Sequence, residues 1–171
     1  AVCRLLTLTG PGGCGKSRLA LAVAEQLPAA FADGVYLVEL ASLPPTGAEV
    51  SPIEQAVAAA LGITPRARRI SLAALIETLR DKELLLVLDN LEHLVDSCRP
   101  PVAALLRACP GLRILITSRE ALGIAGEWVR TVPPLSLPAA DAMGLLTETE
   151  EQAEAVTLFV ERARTHIPRF S

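Results

Sequence analysis

The sequence predicts a doubly wound α/β fold, in which a mostly parallel five-stranded sheet is flanked by helices. Strand-like apolar runs alternate with helix-like runs along the chain, and three of the strand-like runs are almost purely aliphatic. Alternation of this kind is typical of βαβ units, and parallel strands covered on both faces contain continuous aliphatic runs. The chain has 171 residues, of which 51% are hydrophobic and 20% charged. It is therefore long and apolar enough to bury a sizeable core.

Each element is predicted from its own pattern of apolar residues. The strands are predicted over residues 4–9, 34–40, 84–89, 113–118 and 127–133. Helices are predicted over residues 16–27, 52–61 and 71–80, with a fourth helical region within residues 92–108. Proline lacks a backbone N–H and clashes with the preceding helical turn. Pro100 and Pro101 therefore predict two short helices or a sharp kink in the fourth region.

The pattern also divides the chain into a core and a tail. A proline-rich stretch follows the last predicted strand, and helical character returns over residues 148–165. We therefore expect a core over residues 1–135. Residues 136–171 are expected to form a linker and a helix that lead to a following domain outside this sequence.

One loop carries the strongest chemical signal. Between the first strand and the first helix, residues 10–17 match G-x-x-x-x-G-K-[ST], the pattern of a phosphate-binding P-loop. Glycines allow backbone N–H groups to close around phosphate oxygens, and the helix N-terminus adds further donors. The nucleotide-binding residues predicted from this loop are Gly10, Pro11, Gly12, Gly13, Cys14, Gly15, Lys16, Ser17 and Arg18.

Two side chains of this loop have expected roles of their own. We expect Lys16 to be exposed in the phosphate cradle and to reach the β- and γ-phosphates of a nucleotide. The Ser17 hydroxyl is expected to bind Mg²⁺. The alternative is a glycine-rich turn that matches the pattern by chance. The chain has only two lysines, Lys16 and Lys82, and finding one at the required position argues against chance.

Two later strands end in polar residues at the sheet edge where the P-loop lies. Asp89 follows the aliphatic run 84–88 and is predicted to hold Mg²⁺, as the acidic residue of a Walker B strand does. Alternatively, it is an ordinary strand-end aspartate that begins a turn. Arg119 follows the next strand, and its planar guanidinium suits a γ-phosphate. The alternative for Arg119 is a solvated loop arginine.

These motifs, in this order, resemble those of the STAND NTPases, which are AAA+-like P-loop NTPases. The resemblance rests on residues 7–17, 85–94 and 116–120, and on the helical segment 156–163. It is closest to the ATPase module of bacterial multidomain transcriptional regulators of the LuxR and SARP kinds. A G-L-P-like motif that this family usually carries further on is absent from the sequence.

The resemblance implies a nucleotide-controlled switch with ATP or ADP and Mg²⁺ as cofactors. Such proteins hold ADP in a closed resting state and bind ATP in an open, often oligomeric, active state. The partners it implies are the nucleotide, an effector-sensing domain and a DNA-binding domain of the same chain, and further copies in a nucleotide-dependent oligomer. The family also implies adenine rather than guanine as the base.

The position after Asp89 departs from many hydrolytic relatives. Those relatives carry an acidic residue there that activates water, whereas this chain has Asn90, which cannot act as a base. Glu92 is the candidate water-positioning residue, and with Arg119 it completes the candidate catalytic pair. Alternatively, Glu92 is an N-terminal charge partner of the following helix. We expect His93 to be structural or to lie on the surface.

Composition argues against nucleic-acid binding, a membrane span and a cysteine-based metal site. The net charge is −3 and there is no basic run, so we expect no direct nucleic-acid binding by this segment. The longest aliphatic stretch, residues 84–88, is too short to span a membrane. Four cysteines without a C-x-x-C pair fit a reducing cytoplasm rather than disulfides or a metal site.

Three functions compete on these residues. A regulatory ATP/ADP switch with slow hydrolysis fits best. A small-molecule kinase would need an arginine-rich lid, and the one arginine cluster, at Arg66, Arg68 and Arg69, fits a solvated loop better. An interaction domain with a degenerate nucleotide site is the third possibility. The intact lysine, serine and aspartate of the two motifs argue against it.

Overall fold

The structure is a computed structural model that describes residues 3–44, 52–63, 70–137 and 153–167. The chain forms two compact units, Ala1–Val132 and Pro133–Ser171. The predicted boundary between the core and the tail stays a prediction.

The first unit contains five strands and four helices among its described residues. The strands are β1 (Leu5–Thr9), β2 (Val35–Glu39), β3 (Leu85–Asp89), β4 (Arg113–Thr117) and β5 (Glu127–Thr131). The helices are α1 (Lys16–Gln26), α2 (Pro52–Ala60), α3 (Leu72–Leu79) and α4 (Val95–Ala108), and a short 3₁₀ turn covers Pro28–Ala30. Every predicted strand is present, with boundaries shifted by at most two residues. The predicted α/β fold class is confirmed.

All the strands lie in one parallel sheet in the order β2-β3-β4-β1-β5. The register pairs Leu5 of β1 with Ile114 of β4 on one side and with Glu127 of β5 on the other. Because the strands are parallel, their carboxyl ends meet at a single edge of the sheet. In this order β4 lies between β1 and β3, so the loop after β1 and the end of β3 flank the end of β4.

The core forms two clusters, in keeping with the alternation of side chains along each strand. The larger cluster includes Leu86, Leu88 and Ile116, all at most 1% exposed, together with apolar residues of α2, α3 and α4. The smaller cluster joins Leu8, Leu85, Val87 and Leu115 to Ala20 and Ala24 of α1. Alanine is small, so α1 can lie close to the sheet. This packing fixes the helix that follows the P-loop.

The region with two prolines differs from the expectation. Residues 95–108 form a single helix, α4, that contains Pro100 and Pro101, so the expectation of two short helices is wrong. Each proline removes one bond to a carbonyl four residues earlier. The carbonyl left free by Pro100 belongs to Asp96, an exposed residue near the start of the helix, where water can donate the missing hydrogen bond. On its other side the helix buries Val102 and Leu105, and this packing outweighs the local preference.

The second unit contains α5 (Glu154–His166). Its N-terminus is capped by a reciprocal pair, because the Glu154 N–H donates to the Ser136 hydroxyl and the Ser136 N–H donates to the Glu154 carboxylate, both at 3.0 Å. The predicted helix over residues 148–165 agrees with α5 where the structure describes it. Residues 148–152 lie outside the described residues.

Candidate functional site

The loop between β1 and α1 needs glycine at two positions for different reasons. Gly15 is the N-cap of α1 and has a φ of 90°, in the left-handed region that side chains disfavour. At Gly10, a β-carbon would lie 2.5 Å from the carbonyl oxygen of Val132, at the end of β5. The first glycine is therefore required by the close approach of the neighbouring strand, and the second by the turn into the helix.

Lys16 is buried, with 8% of its surface exposed, so the expectation of an exposed lysine is wrong. Its ammonium donates to the carbonyl oxygens of Gly10 at 2.9 Å and Pro11 at 2.8 Å. The charge is thus held inside the loop by the loop's own backbone. The ammonium also lies 3.9 Å from Cys14 Sγ, so it remains within the loop.

The beginning of α1 is suited to an anion. The N-cap residue makes no side-chain hydrogen bond to the helix, and the first turn carries no acidic residue. The first-turn N–H groups therefore have no capping side chain, and the partial positive charge of the helix end is not neutralised. Ser17 is partly exposed in this turn and Arg18 is exposed. These groups and the glycine loop fit a phosphate chain.

Asp89 lies at the end of β3 and is held by β4. The hydroxyl of Thr117 donates to Asp89 Oδ1 at 2.5 Å and accepts from the Asn90 N–H at 2.9 Å. Asn90 has a φ of 62°, so the chain turns sharply after the aspartate. The aspartate is thus fixed at the sheet edge through Oδ1, and a carboxylate is a ligand type that magnesium takes.

Thr117 is the residue that the sequence analysis missed. It is 1% exposed, and its hydroxyl links the ends of two neighbouring strands. A threonine at the end of an aliphatic strand, two residues before an arginine, was visible in the sequence. The pairing of β3 with β4 was not, and only that pairing gives the hydroxyl its partners.

Arg119 lies beside the P-loop. A β-carbon built on Gly12 would be 3.7 Å from Arg119 Nη2. Arg119 Nε also forms an ion pair with Glu92 Oε1 at 3.1 Å, and the two side chains are 68% and 20% exposed respectively. The other oxygen, Glu92 Oε2, is buried without a hydrogen-bond partner. The two candidate catalytic residues are therefore in direct contact with each other.

Other candidates from the sequence lie apart from this group. His93 Nε2 is 3.0 Å from the carbonyl oxygen of Leu43, a contact between two loops that fits a structural role. The cluster Arg66, Arg68 and Arg69 lies outside the described residues. Within the described ranges, no group of three or more His, Cys, Asp or Glu residues could hold a metal ion. Within the same ranges, no helix is long and apolar enough to cross a membrane.

Several longer mycobacterial proteins resemble this chain. It is 42% identical over 161 residues to an uncharacterized protein of Mycobacterium tuberculosis, covering 94% of this chain and 36% of that protein. It is 38% identical over 168 residues to a protein of the same species named "Putative HTH-type transcriptional regulator", covering 98% of this chain and 17% of that protein. The chain thus spans about a third or less of these relatives.

Among solved structures, C. elegans PCH-2 overlaps with 78% of this chain and 36% of its own, at 19% identity and a TM-score of 0.49. The family model of the AAA domain matches residues 2–124. That range contains the P-loop, Asp89, Thr117 and Arg119. By this match over most of its length, the chain belongs to the AAA domain family and is an AAA-type nucleotide-binding domain.

Proposed function

We propose that this domain is an ATP/ADP-binding regulatory switch with slow Mg²⁺-dependent ATP hydrolysis. The observation that carries the proposal is the position of Arg119. Its guanidinium lies beside Gly12 of the P-loop and pairs with Glu92. An arginine there can sense whether a third phosphate is bound, and such a difference between ATP and ADP is what a switch requires.

Different residues at the sheet edge would bind the phosphates and the Mg²⁺ ion. The loop N–H groups and Lys16 would hold the phosphate oxygens. The Ser17 hydroxyl and the Asp89 carboxylate would hold Mg²⁺, which neutralises charge on the β- and γ-phosphates when it is bound. Thr117 keeps the aspartate in place through its 2.5 Å hydrogen bond.

Two features support slow hydrolysis. Asn90 takes the position of the expected base, and its backbone is held by Thr117 in a left-handed turn. Glu92, the remaining acidic candidate, has one oxygen engaged by Arg119. A base that is paired with a cation is less available to accept a proton from water.

The larger setting is also part of the proposal. The relatives are about three to six times longer than the matched region, and one is named as an HTH-type regulator. We infer DNA-binding and effector-sensing domains in the same chain, assembly that depends on the bound nucleotide, and no direct nucleic-acid contact by this domain. The cysteines are all free thiols, which agrees with a reducing cytoplasm.

Calorimetry and a turnover assay test the switch. Arg119→Ala should lose about ten- to a hundredfold in ATP affinity and almost nothing in ADP affinity, because charge-assisted hydrogen bonds contribute about 1.5–3 kcal/mol. Equal losses for both nucleotides would show that Arg119 does not contact the γ-phosphate.

The rate of ATP hydrolysis by the wild type is the second test. Its steady-state rate should lie well below about 1 s⁻¹, the low end of ordinary enzyme rates. A faster rate would favour a committed enzyme.

A further inference from the structure

We propose that Glu92 sets the preference between ATP and ADP, because its carboxylate competes with the γ-phosphate for Arg119. The inference rests on the proposed function, in which Arg119 binds that phosphate. It gives Glu92 a role in nucleotide selectivity in addition to the candidate role in positioning water.

The two partners of the ion pair differ in their surroundings. Glu92 is 20% exposed and Arg119 is 68% exposed, with 3.1 Å between Oε1 and Nε. The glutamate is therefore held by its surroundings, whereas the arginine has room to change its position. Any rearrangement that brings the guanidinium closer to a phosphate is therefore made by Arg119.

The pair makes ATP binding and ADP binding unequal. A γ-phosphate near Gly12 offers Arg119 a second anion, which must share the charge of the guanidinium with Glu92 or displace the carboxylate from Nε. ATP binding then includes the cost of weakening the contact between Arg119 and the carboxylate. ADP has no γ-phosphate and leaves the pair intact, so the pair lowers ATP affinity selectively.

The second oxygen of Glu92 strengthens the competition between Glu92 and the γ-phosphate for Arg119. Glu92 Oε2 is buried without a hydrogen-bond partner, so the carboxylate already depends on Arg119 for its compensation. Once Arg119 turns to the phosphate, both glutamate oxygens lack that cation, and the carboxylate faces an additional negative charge. A buried charge without its partner is unfavourable. Removing the charge at position 92 should therefore relieve the penalty on ATP.

The experiment measures binding of ATP and ADP by calorimetry to the wild type, Glu92→Gln and Glu92→Ala, the alanine variant serving if the glutamine variant folds poorly. A β,γ-methylene analogue replaces ATP wherever hydrolysis interferes. Either variant should raise ATP affinity by about two- to fivefold, the range of a partly exposed ion pair, with ADP affinity unchanged. A water-positioning role alone would lower turnover without changing affinity.

Two controls isolate the pair. Glu120→Gln removes the same charge from an exposed neighbour of Arg119, and it should change the ATP-to-ADP affinity ratio much less than Glu92→Gln. In an Arg119→Ala background, Glu92→Gln should have a much smaller effect on that ratio, because the group for which Glu92 and the phosphate compete is gone.

Each outcome decides a different point. An unchanged ATP-to-ADP affinity ratio in both Glu92 variants overturns the competition while leaving the nucleotide site intact. If the ATP-to-ADP affinity ratio rises equally in Glu92→Gln and Glu120→Gln, the effect is general electrostatics, and the proposed competition for Arg119 is also overturned. Failure of the wild type to bind either nucleotide would instead reject the proposed function, and this inference with it.

Discussion

The two edges of the same sheet use their charged residues in opposite ways. At the amino edge, where the strands begin, Arg4 donates to two backbone carbonyls at 2.5 and 3.3 Å. Glu127 accepts two backbone N–H groups and the Thr7 hydroxyl within 2.8 Å. Asp33 binds Lys82 and a backbone N–H. These side chains connect loops and strands through hydrogen bonds and an ion pair within the protein.

At the carboxyl edge, two of the charged residues are only partly satisfied by the protein. Glu92 has a buried oxygen without a partner, and Arg119 remains 68% exposed. The first turn of α1 has neither a capping side chain nor an acid. We expect charges at the amino edge to stabilise the fold and charges at the carboxyl edge to serve a ligand. Substitutions at the two edges should therefore separate stability from nucleotide affinity.

The largest expected effect is the loss of nucleotide affinity at Lys16, and Lys82 at the other edge is its control. Lys16→Ala should weaken ATP and ADP binding by about a hundredfold, since it removes two or more charge-assisted bonds to phosphate. Lys82→Ala, at the amino edge, is the matched control and should leave nucleotide affinity unchanged. Calorimetry on both variants measures this, with thermal unfolding to confirm that they fold. Equal affinities in Lys16→Ala and the wild type would remove the P-loop assignment.

The next effect concerns Mg²⁺ at the end of β3. Asp89→Ala should abolish the gain in ATP affinity that Mg²⁺ gives, a loss of about tenfold, because the metal loses its carboxylate. Thr117→Val should reduce the gain in part, since the carboxylate loses its 2.5 Å donor, and Thr117→Ser should restore it. Titrations with and without Mg²⁺ measure each gain. A full response to Mg²⁺ in Asp89→Ala would show that the metal lies elsewhere.

A chemical probe compares the edges without a substitution in the P-loop. Cys14 lies within the P-loop and is partly exposed, whereas Cys3 is partly exposed just before β1 at the amino edge. ADP should slow alkylation of Cys14 by at least several-fold, because bound phosphate covers the loop, and leave Cys3 unaffected. Mass spectrometry of the labelled peptides reports both rates. Equal protection of the two thiols would indicate a global change in stability rather than a local site.

The smallest effect should come from Asp33. The side-chain hydrogen bond from Lys82 and the backbone hydrogen bond from Glu83 lower the pKa of Asp33. A lowered pKa of an acid stabilises the fold above the pKa of the unfolded chain, and this is lost as the pH falls through the folded pKa. Asp33→Asn should lower Tm by about 2 °C at most near neutral pH. The difference should disappear in acid, and nucleotide affinity should not change.

The sequence named the candidate site residues, whose roles stay predictions, but it did not give their contacts. The P-loop, Asp89 and Arg119 follow from residue types placed after strand-like runs. The burial of Lys16, the Glu92–Arg119 ion pair and the role of Thr117 were missed. Each of these depends on which strands are neighbours and on where the loops meet, and no local pattern carries that information.

The sequence by itself determined the strands, most helix boundaries and the α/β class, because hydrophobic periodicity and turn residues act over a few positions. The tertiary structure decided the order β2-β3-β4-β1-β5, which brings the end of β4 between the P-loop and Asp89. It also kept α4 continuous through Pro100 and Pro101. Both outcomes depend on burial of apolar side chains from distant parts of the chain, since hydrophobic burial depends on the whole fold. In α4 this burial outweighs the local preference of proline.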